Sequence, residues 1–249
     1  MRSKNIPIFR VKPNNKLPSK LPSNLLWQGD AEKFLDGLPE RPLFDLVITS
    51  PPYNIGKSYE QKQELNKYLE WQERIIKKIV LRLKPSGSLC WQVGNFVQKE
   101  NGDRNSTILP LDIVFYKIFN DSELMLRNRI IWHFGHGLHC KYRFSGRYET
   151  ILWFTKTDDY KFNLDDVRIK SKYPGKRHFK GPNKGEYSSN PKGKNPEDVW
   201  SINESDLTIW DQDIWDIPNV KSNHIEKTEH PCQFPYGLSK TAINLSMSM

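Results

Sequence analysis

A short segment, Ser50-Pro51-Pro52-Tyr53, has the residue types needed to hold a planar heterocycle that carries an amino group. The prolines fix φ and lack N–H donors, so the backbone there offers carbonyl acceptors in a stiff frame. Ser50 adds a hydroxyl, and Tyr53 adds a ring on which a flat ligand can stack. Two acceptors on the two amino hydrogens favour a tetrahedral nitrogen, whose lone pair is then free to attack. A nucleobase must leave its duplex to be held in this way.

The segment directly follows an apolar run over residues 43–48, and its two prolines end that run. An apolar run of this length bounded by turn formers is typical of a buried strand in a parallel sheet. Open α/β sheets bind their ligands at the carboxyl ends of such strands. We therefore predict that Ser50 lies at the ligand-binding edge of a sheet.

The remaining elements are predicted from periodicity. Apolar residues recur every three or four positions from Leu65 to Leu83, which predicts an amphipathic helix that ends before Pro85. Residues 110–120 have a helical pattern with Pro110 near its start. Strands are predicted over residues 88–93, 129–134 and 150–154. Together these elements predict an α/β fold, a sheet covered by helices.

The segment and its surroundings resemble the beta-type DNA amino-methyltransferases, which methylate cytosine N4 or adenine N6 with S-adenosylmethionine. Ser50-Pro51-Pro52-Tyr53 is similar to the catalytic motif of that family. Similar companions occur in the same order along the chain: Gly29-Asp30, Asp45-Leu46-Val47-Ile48-Thr49, Asn54-Ile55-Gly56-Lys57, Lys84-Pro85-Ser86-Gly87-Ser88, Arg143-Phe144, Tyr148-Glu149, Trp153-Phe154-Thr155-Lys156 and His230-Pro231-Cys232-Gln233-Phe234-Pro235. The similarity covers about residues 25–156 and 215–240. It implies a Rossmann-like S-adenosylmethionine-dependent methyltransferase fold.

The resemblance assigns roles to individual residues. Ser50 and the carbonyl of Pro51 are expected to hold the target amino group, Pro52 completes the catalytic motif, and Tyr53 is expected to stack on the flipped base. The residues expected to contact the cofactor are Asp30, His230, Phe234 and Pro235. Two simpler interpretations stay open: Asp30 as the N-cap of a helix that starts at Ala31, and the other three as the entry to a helix.

The resemblance also bears on the target base. A serine in the first position of the motif favours cytosine N4, because a hydroxyl both accepts and donates hydrogen bonds. Adenine N6 stays open as the target.

Most of the net charge of +9 comes from one stretch. Residues 168–194 contain nine Lys and Arg against Glu186 alone, or +8, with Pro, Gly and aromatic residues interspersed. This composition predicts a loop-rich basic insertion that binds DNA phosphates, although a solvated charge run stays open. In beta-type relatives, target recognition falls in this part of the chain. The residues predicted to contact DNA are Lys57, Arg143, Lys172, Lys176, Arg177, Lys180 and Lys184.

His133, His136, His139 and Cys140 could in principle bind zinc. Their spacing fits no common zinc finger, and the adjacent glycines indicate a loop, so we predict a DNA-facing loop and no metal site. The three cysteines are far apart, no apolar stretch is long enough to cross a membrane, and no secretory leader is visible. These features predict a reduced, cytoplasmic protein without a membrane partner.

The predicted organisation has four parts: a flexible basic arm over residues 1–24, a catalytic α/β core over 25–156, a basic target-recognition region over 157–214 and a cofactor-side helix within 215–249. In beta-type members a glycine-rich cofactor loop follows that helix, whereas no glycine follows Gly237 here. We therefore expect a fold that is incomplete at the C-terminus, truncated before that loop, and inactive alone unless another fragment complements it.

The functional hypothesis is a site-specific DNA methyltransferase whose partner is double-stranded DNA. Two alternatives stay open, a non-enzymatic DNA-binding remnant of such an enzyme and an RNA methyltransferase. A restriction endonuclease and a complementing C-terminal fragment are further candidate partners.

Overall fold

The computed structural model describes residues 8–12, 16–56, 60–99, 106–134, 139–200 and 235–246. In chain order these segments form β1 (Phe9–Val11), β2 (Leu25–Trp27), α1 (Ala31–Asp36), β3 (Phe44–Thr49), α2 (Leu65–Arg82), β4 (Leu83–Val93), β5 (Asn95–Lys99), β6 (Ser106–Pro110), α3 (Leu111–Asp121), β7 (Met125–His133), β8 (Tyr148–Thr155), β9 (Val199–Trp200) and α4 (Tyr236–Ser246). The α/β class predicted from the sequence is confirmed.

The main sheet has five strands in the order β3-β4-β8-β7-β9. β3 and β4 run parallel and are connected through α2, whereas β4 with β8 and β8 with β7 are antiparallel. β9 then pairs in parallel with β7. The sheet is therefore mixed, and the predicted strand before Ser50 lies at one end of this strand order.

Helix α2 forms where the periodicity predicts it. The side chain of Glu64 caps its start by accepting from the backbone N–H groups of Asn66 and Lys67. After α2 the strand pairing jumps from Phe44–Leu83 to Leu46–Ser88, so that residues 84–87 bulge out of the ladder. A Cβ at Gly87 would lie 2.9 Å from the carbonyl oxygen of Phe44, which explains a glycine in this turn.

The two faces of the sheet carry separate apolar clusters. Alternation along β4 puts Leu89, Trp91 and Val93 into a cluster with residues of α2 and α3. Cys90 points the other way, into a cluster that includes Leu238 and Ala242 of α4. The sheet is thus covered on both faces, with α2 and α3 on one side and α4 on the other.

The flexible arm predicted over residues 1–24 is wrong for the part that the structure describes. Phe9–Val11 pairs in parallel with Leu25–Trp27, and Val11 is buried. Leu17 and Leu21 pack against the cluster on the α2 side. The prediction relied on the basic, proline-containing composition of the segment and overlooked its few apolar residues. Burial of these residues outweighs the local preference for a loop.

The predicted basic region contains little regular structure in its described part. Residues 157–200 form a 3₁₀ turn at Leu164–Asp166, two isolated bridges and β9. Residues 201–234 lie outside the described residues, and they include the boundary predicted at 214–215. Among the described helices, none combines the length and apolar character needed to cross a membrane.

Candidate active site

The Ser50–Tyr53 turn follows the carboxyl end of β3 directly. Ser50 is exposed and Pro51 is buried. Ser50 Oγ lies 3.3 Å from the hydroxyl of Tyr53, so the two side chains face each other. The structure therefore brings the predicted hydroxyl and the predicted ring together at the expected edge of the sheet.

A tyrosine of α2 holds the turn from one side. The buried Tyr68 donates its hydroxyl to the carbonyl oxygen of Pro52 at 2.6 Å. Burial, followed by the negative charge of Glu60, raises the pKa of Tyr68, so this phenol stays a neutral donor. None of the described hydrogen bonds uses the carbonyl of Pro51, a residue that lines the cavity described below.

The residue after the tyrosine fixes the exit of the turn. Asn54 is 3% exposed and has a φ of 59°, a left-handed conformation that asparagine tolerates better than most residues. Its amide side chain donates to the carbonyl of Gln63 at 2.9 Å and accepts from the N–H of Gln63 at 2.7 Å. The carboxylate of Glu60 accepts from the backbone N–H groups of Asn54 and Ile55. Lys57, two residues beyond Ile55, lies outside the described residues.

A carboxyl group from β8 meets the turn from the other side. Tyr53 donates its hydroxyl to Glu149 Oε2 at 3.2 Å, and Gln92 Nε2 donates to the same oxygen. Burial raises the pKa of Glu149, and the two hydrogen bonds offset part of that shift. A Cβ at Gly94 would lie 3.0 Å from Tyr53 Cε2 and 3.3 Å from Glu149 Oε1, so a glycine there admits both side chains.

A cavity of about 480 Å³ runs beside β3 and reaches the turn. Its volume falls in the range of small-molecule sites, about 300–1,000 Å³. Its lining residues are Ala31, Phe34, Leu35, Phe44, Leu46, Val47, Ile48, Thr49, Ser50, Pro51, Pro52, Trp71, Gln72, Ile75, Ile79 and Trp91. Within the described residues, neither the amide of Gln72 nor Nε1 of Trp91 has a hydrogen-bond partner. The mostly apolar cavity thus has two polar groups with unused capacity.

The predicted cofactor residues are only partly described. Asp30 caps α1 by accepting from the N–H of Lys33 at 2.9 Å, so the N-cap interpretation is the one observed. Pro235 is buried and directly precedes α4. Neither residue lines the cavity. His230 and Phe234 lie outside the described residues.

The cations of the basic segment, residues 168–194, fall into two groups according to whether they form ion pairs. Arg168 and Lys192 pair with Asp165, and Lys194 pairs with Glu197. The other group has no ion pair within the part of the chain that the structure describes and consists of Lys170, Lys172, Lys176, Arg177, Lys180 and Lys184. This second group includes five of the residues predicted to contact DNA.

A small folded turn presents part of this second group. Arg177 lies over the ring of Tyr187, with its guanidinium carbon 4.0 Å from the ring centre, and it donates to the carbonyl of Gly185 at 2.6 Å. Backbone hydrogen bonds join Ser188 to Lys176 and His178 to Glu186. The exposed cations therefore extend from a backbone with defined geometry.

The histidine-rich loop is described only at its ends. His133 closes β7, and the guanidinium of Arg143 contacts Cys140 Sγ. His136 lies outside the described residues. Among those that are described, no three His, Cys, Asp or Glu side chains are grouped to hold a metal ion.

Sequence reasoning gave no role to Tyr68, Gln92, Gly94 or Glu149. One signal was present: Glu149 and Gln92 are polar residues within otherwise apolar strands, and such residues are rarely buried without a partner. Their partner could be identified only from the register of the sheet.

Comparison with known proteins gives consistent matches. The sequence model of a family described as DNA methylase matches residues 44–249. The chain is 45% identical over 224 residues to the Type II methyltransferase M.BglII of Bacillus subtilis, covering 89% of this chain and 56% of that protein. It is 31% identical over 221 residues to the Type II methyltransferase M.ScaI of Streptomyces caespitosus, covering 88% and 65%. The chain therefore spans between half and two thirds of the length of these relatives.

A solved structure shares the fold. The PvuII DNA methyltransferase, described as cytosine-N4-specific, matches with a TM-score of 0.61 and 18% identity, over 89% of this chain and 70% of that one. At this identity the match concerns the fold alone. It confirms the predicted Rossmann-like methyltransferase architecture.

Proposed function

Because this chain belongs to the DNA methylase family, we propose that it takes part in methylating the exocyclic amino group of a base extruded from double-stranded DNA. The observation that carries the proposal is the 3.3 Å approach of Ser50 Oγ and the Tyr53 hydroxyl at the end of β3, beside an open cavity. This arrangement places a hydrogen-bonding hydroxyl and an aromatic ring side by side at the end of the strand.

The proposed chemistry is a direct transfer. The amino nitrogen would attack the methyl carbon of a sulfonium donor, and the N–C bond would form as the S–C bond breaks. The positive charge would pass from sulfur to nitrogen, which would then release a proton to water. Ser50 Oγ and the free carbonyl of Pro51 accept from the amino hydrogens and favour the tetrahedral nitrogen. Tyr53 stacks on the base and offsets part of the cost of extruding it.

S-adenosylmethionine is the proposed methyl donor, supplying an electrophilic methyl group on a sulfonium. The cavity beside Ser50 is of suitable size. The unpartnered Gln72 amide and Trp91 Nε1 belong to residues that line it, and a nucleoside-like ligand would reach these buried groups if their side chains shift. Asp30, His230, Phe234 and Pro235 stay in the proposed contact set, with the capping role of Asp30 using one carboxylate oxygen.

Cytosine N4 is the favoured target. A serine in the first position of the motif, which the resemblance associates with cytosine N4, places a neutral hydroxyl acceptor beside the amino group, whereas an aspartate would place a negative charge there. Digestion of the methylated DNA to nucleosides, followed by mass spectrometry, distinguishes N4-methylcytosine from N6-methyladenine. Detection of N6-methyladenine alone would reverse this assignment.

The cations without ion pairs are proposed to bind the phosphates of DNA. Lys172, Lys176, Arg177, Lys180 and Lys184 are exposed, and Lys57 and Arg143 are proposed to add further phosphate contacts. Phosphate binding of this kind releases counterions and weakens steeply as salt rises. A cytoplasmic location and a restriction endonuclease partner stay predictions.

Transfer of tritium from labelled S-adenosylmethionine to duplex DNA tests the function. Because the chain spans 56% of M.BglII, one arm contains the chain alone and a second adds the part of M.BglII beyond the matched region. Incorporation in either arm, abolished by Ser50→Ala, supports the proposal. No incorporation in both arms, with M.BglII active in parallel, contradicts it.

A second candidate is DNA binding without methyl transfer, favoured by the unpaired cations of the basic segment. Calorimetry separates the two: the second candidate binds duplex with a steep salt dependence and gives no signal with S-adenosylmethionine. Competition between duplex DNA and structured RNA at matched salt tests the RNA alternative in the same way.

A further inference from the structure

We propose that Glu149 is a positioning residue that orients the hydrogen bonds of the catalytic turn, so that Ser50 Oγ presents its lone pairs to the target amino group. The inference deepens the proposed function and rests on it for its catalytic consequence. Its structural part, the link from Glu149 to Tyr53, can be tested without methyl transfer.

The sheet register fixes the carboxyl group. In the β4–β8 ladder Gln92 is opposite Ile151, which places Glu149 diagonally from Gln92 on the same face. Gln92 is 2% exposed, and its Nε2 donates to Glu149 Oε2. Glu149 is thus held by a buried neighbour on β4, an interior strand of the sheet, whereas Ser50 and Tyr53 lie in a turn.

The direction of the hydrogen bonds follows from the donor inventory. When Glu149 is ionised it only accepts, so in that state the Tyr53 hydroxyl uses its single proton toward Glu149. That proton cannot also serve the 3.3 Å contact with Ser50, so a hydrogen bond between the two hydroxyls runs from Ser50 to the oxygen of Tyr53. With its proton directed away, Ser50 Oγ keeps both lone pairs for the hydrogens of an amino group. A neutral carboxyl in place of Glu149 would leave this direction undetermined.

The same contact sets the tyrosine ring. The Tyr53 ring lies against Gly94, where a Cβ would be 3.0 Å from Cε2, and its hydroxyl is held by Glu149. The phenol is therefore fixed at one edge and at its oxygen. Errors of about 1 Å in such positions cost about 100-fold in rate.

The first experiment follows Tyr53 by NMR in protein labelled with ¹³C at the ζ carbon of tyrosine. The Tyr53 signal is identified by its loss in Tyr53→Phe. We expect it to shift with pH as Glu149 titrates, with a midpoint above the ordinary glutamate value of 4.5, because burial favours the neutral acid. Glu149→Gln should abolish this step.

Other titrating groups are controlled separately. The neutral Gln92 faces Glu149 from β4, Tyr148 is its neighbour along β8, and His133 is opposite Tyr148 on β7. The pH step of the Tyr53 signal should persist in His133→Gln. A step that is absent in the unaltered protein, or that survives Glu149→Gln, overturns the inference whatever the enzymatic activity.

The second experiment measures methyl transfer in whichever arm of the tritium assay is active. We expect Glu149→Gln and Tyr53→Phe each to lower kcat about 10- to 100-fold with a smaller change in KM. The double variant should be no slower than the slower single variant, because both changes break one chain of hydrogen bonds. Glu73→Gln, on the exposed face of α2, is the control and should change neither constant.

The outcomes separate the two proposals. If the NMR step is present but no arm transfers methyl groups, the proposed function fails and the link between Glu149 and Tyr53 stands. If methyl transfer occurs and the two single effects multiply in the double variant, the proposed function stands and the positioning role is refuted. Thermal melts identify any loss of folding. In Glu149→Asp the carboxylate side chain is too short to reach Tyr53 in the same way, so this variant should also have a kcat below that of the unaltered protein.

Discussion

Replacement of Gln72 by leucine is expected to stabilise the protein. Gln72 is 0% exposed, and neither atom of its amide bonds to any residue in the described part of the chain. A buried amide without a partner costs about 1–3 kcal/mol. Leucine removes this cost, and the adjacent cavity of about 480 Å³ gives room for the branched side chain without overpacking.

The expected gain is therefore about 1–3 kcal/mol in the free energy of unfolding. For a chain of this size, each kcal/mol raises Tm by about 2–4 °C. Urea unfolding followed by circular dichroism, with thermal melts in parallel, measures the change. The matched control is Gln92→Leu, which removes an equally buried amide that donates to Glu149 and should destabilise by about 1–3 kcal/mol.

The reasoning is supported if Gln72→Leu raises the free energy of unfolding and Gln92→Leu lowers it. A loss of stability in Gln72→Leu would refute it, because the amide would then have a partner in the folded protein. If S-adenosylmethionine occupies this cavity, the same substitution should also weaken its binding in calorimetry. Gained stability with lost affinity is the pattern expected when a polar group is retained for a ligand.

Three further predictions concern the ion pair, the turn and the basic segment. Lys84 donates to Asp45 at 2.7 Å and lowers the pKa of that carboxyl, so Asp45→Asn should cost about 0.2–1 kcal/mol at pH 7 in urea unfolding. Because a lowered pKa stabilises only above the unfolded value, this difference should fade as pH falls below 3.8, and a constant difference would contradict it. Tyr68→Phe removes the donor to Pro52 and should cost about 1–2 kcal/mol in the same assay; unchanged stability would mean that the hydrogen bond contributes little. Neutralising three exposed cations should reduce the slope of the logarithm of the DNA-binding constant against the logarithm of salt concentration, by about one unit for each cation. Neutralising a control set should leave this slope unchanged. If both variants have the same slope, the basic segment is merely solvated. The test set is Lys176, Arg177 and Lys180, and the control set is Lys67, Lys77 and Lys117.

The sequence predicts the elements whose signals are local. The run before Ser50, the prolines that end it and the three-and-four spacing of α2 all lie within a few residues of the structure they determine. The N-cap at Asp30 is of the same kind. Such features follow from short-range sterics and from burial of one face, which is why their positions agree closely with the structure.

The contacts around the turn could not be predicted in this way. Tyr53 and Glu149 are 96 residues apart, and their contact depends on the pairing of β8 with β4. A shift of one residue in that register would turn Glu149 to the opposite face of the sheet. The strand Phe9–Val11 escaped prediction for a related reason, since its partner lies beyond an intervening basic stretch.

The turn is supported by groups that need not touch a substrate. Tyr68 holds the Pro52 carbonyl, Asn54 fixes the exit of the turn, and Glu149 holds the hydroxyl of Tyr53. These contacts use the oxygens and hydroxyls that would otherwise compete for an amino group, and they leave the Pro51 carbonyl and Ser50 Oγ with unused acceptors. In the proposed transfer, preorganised acceptors would require no reorganisation as charge develops on the nitrogen, so these three supporting residues would contribute to catalysis through the groups that they occupy.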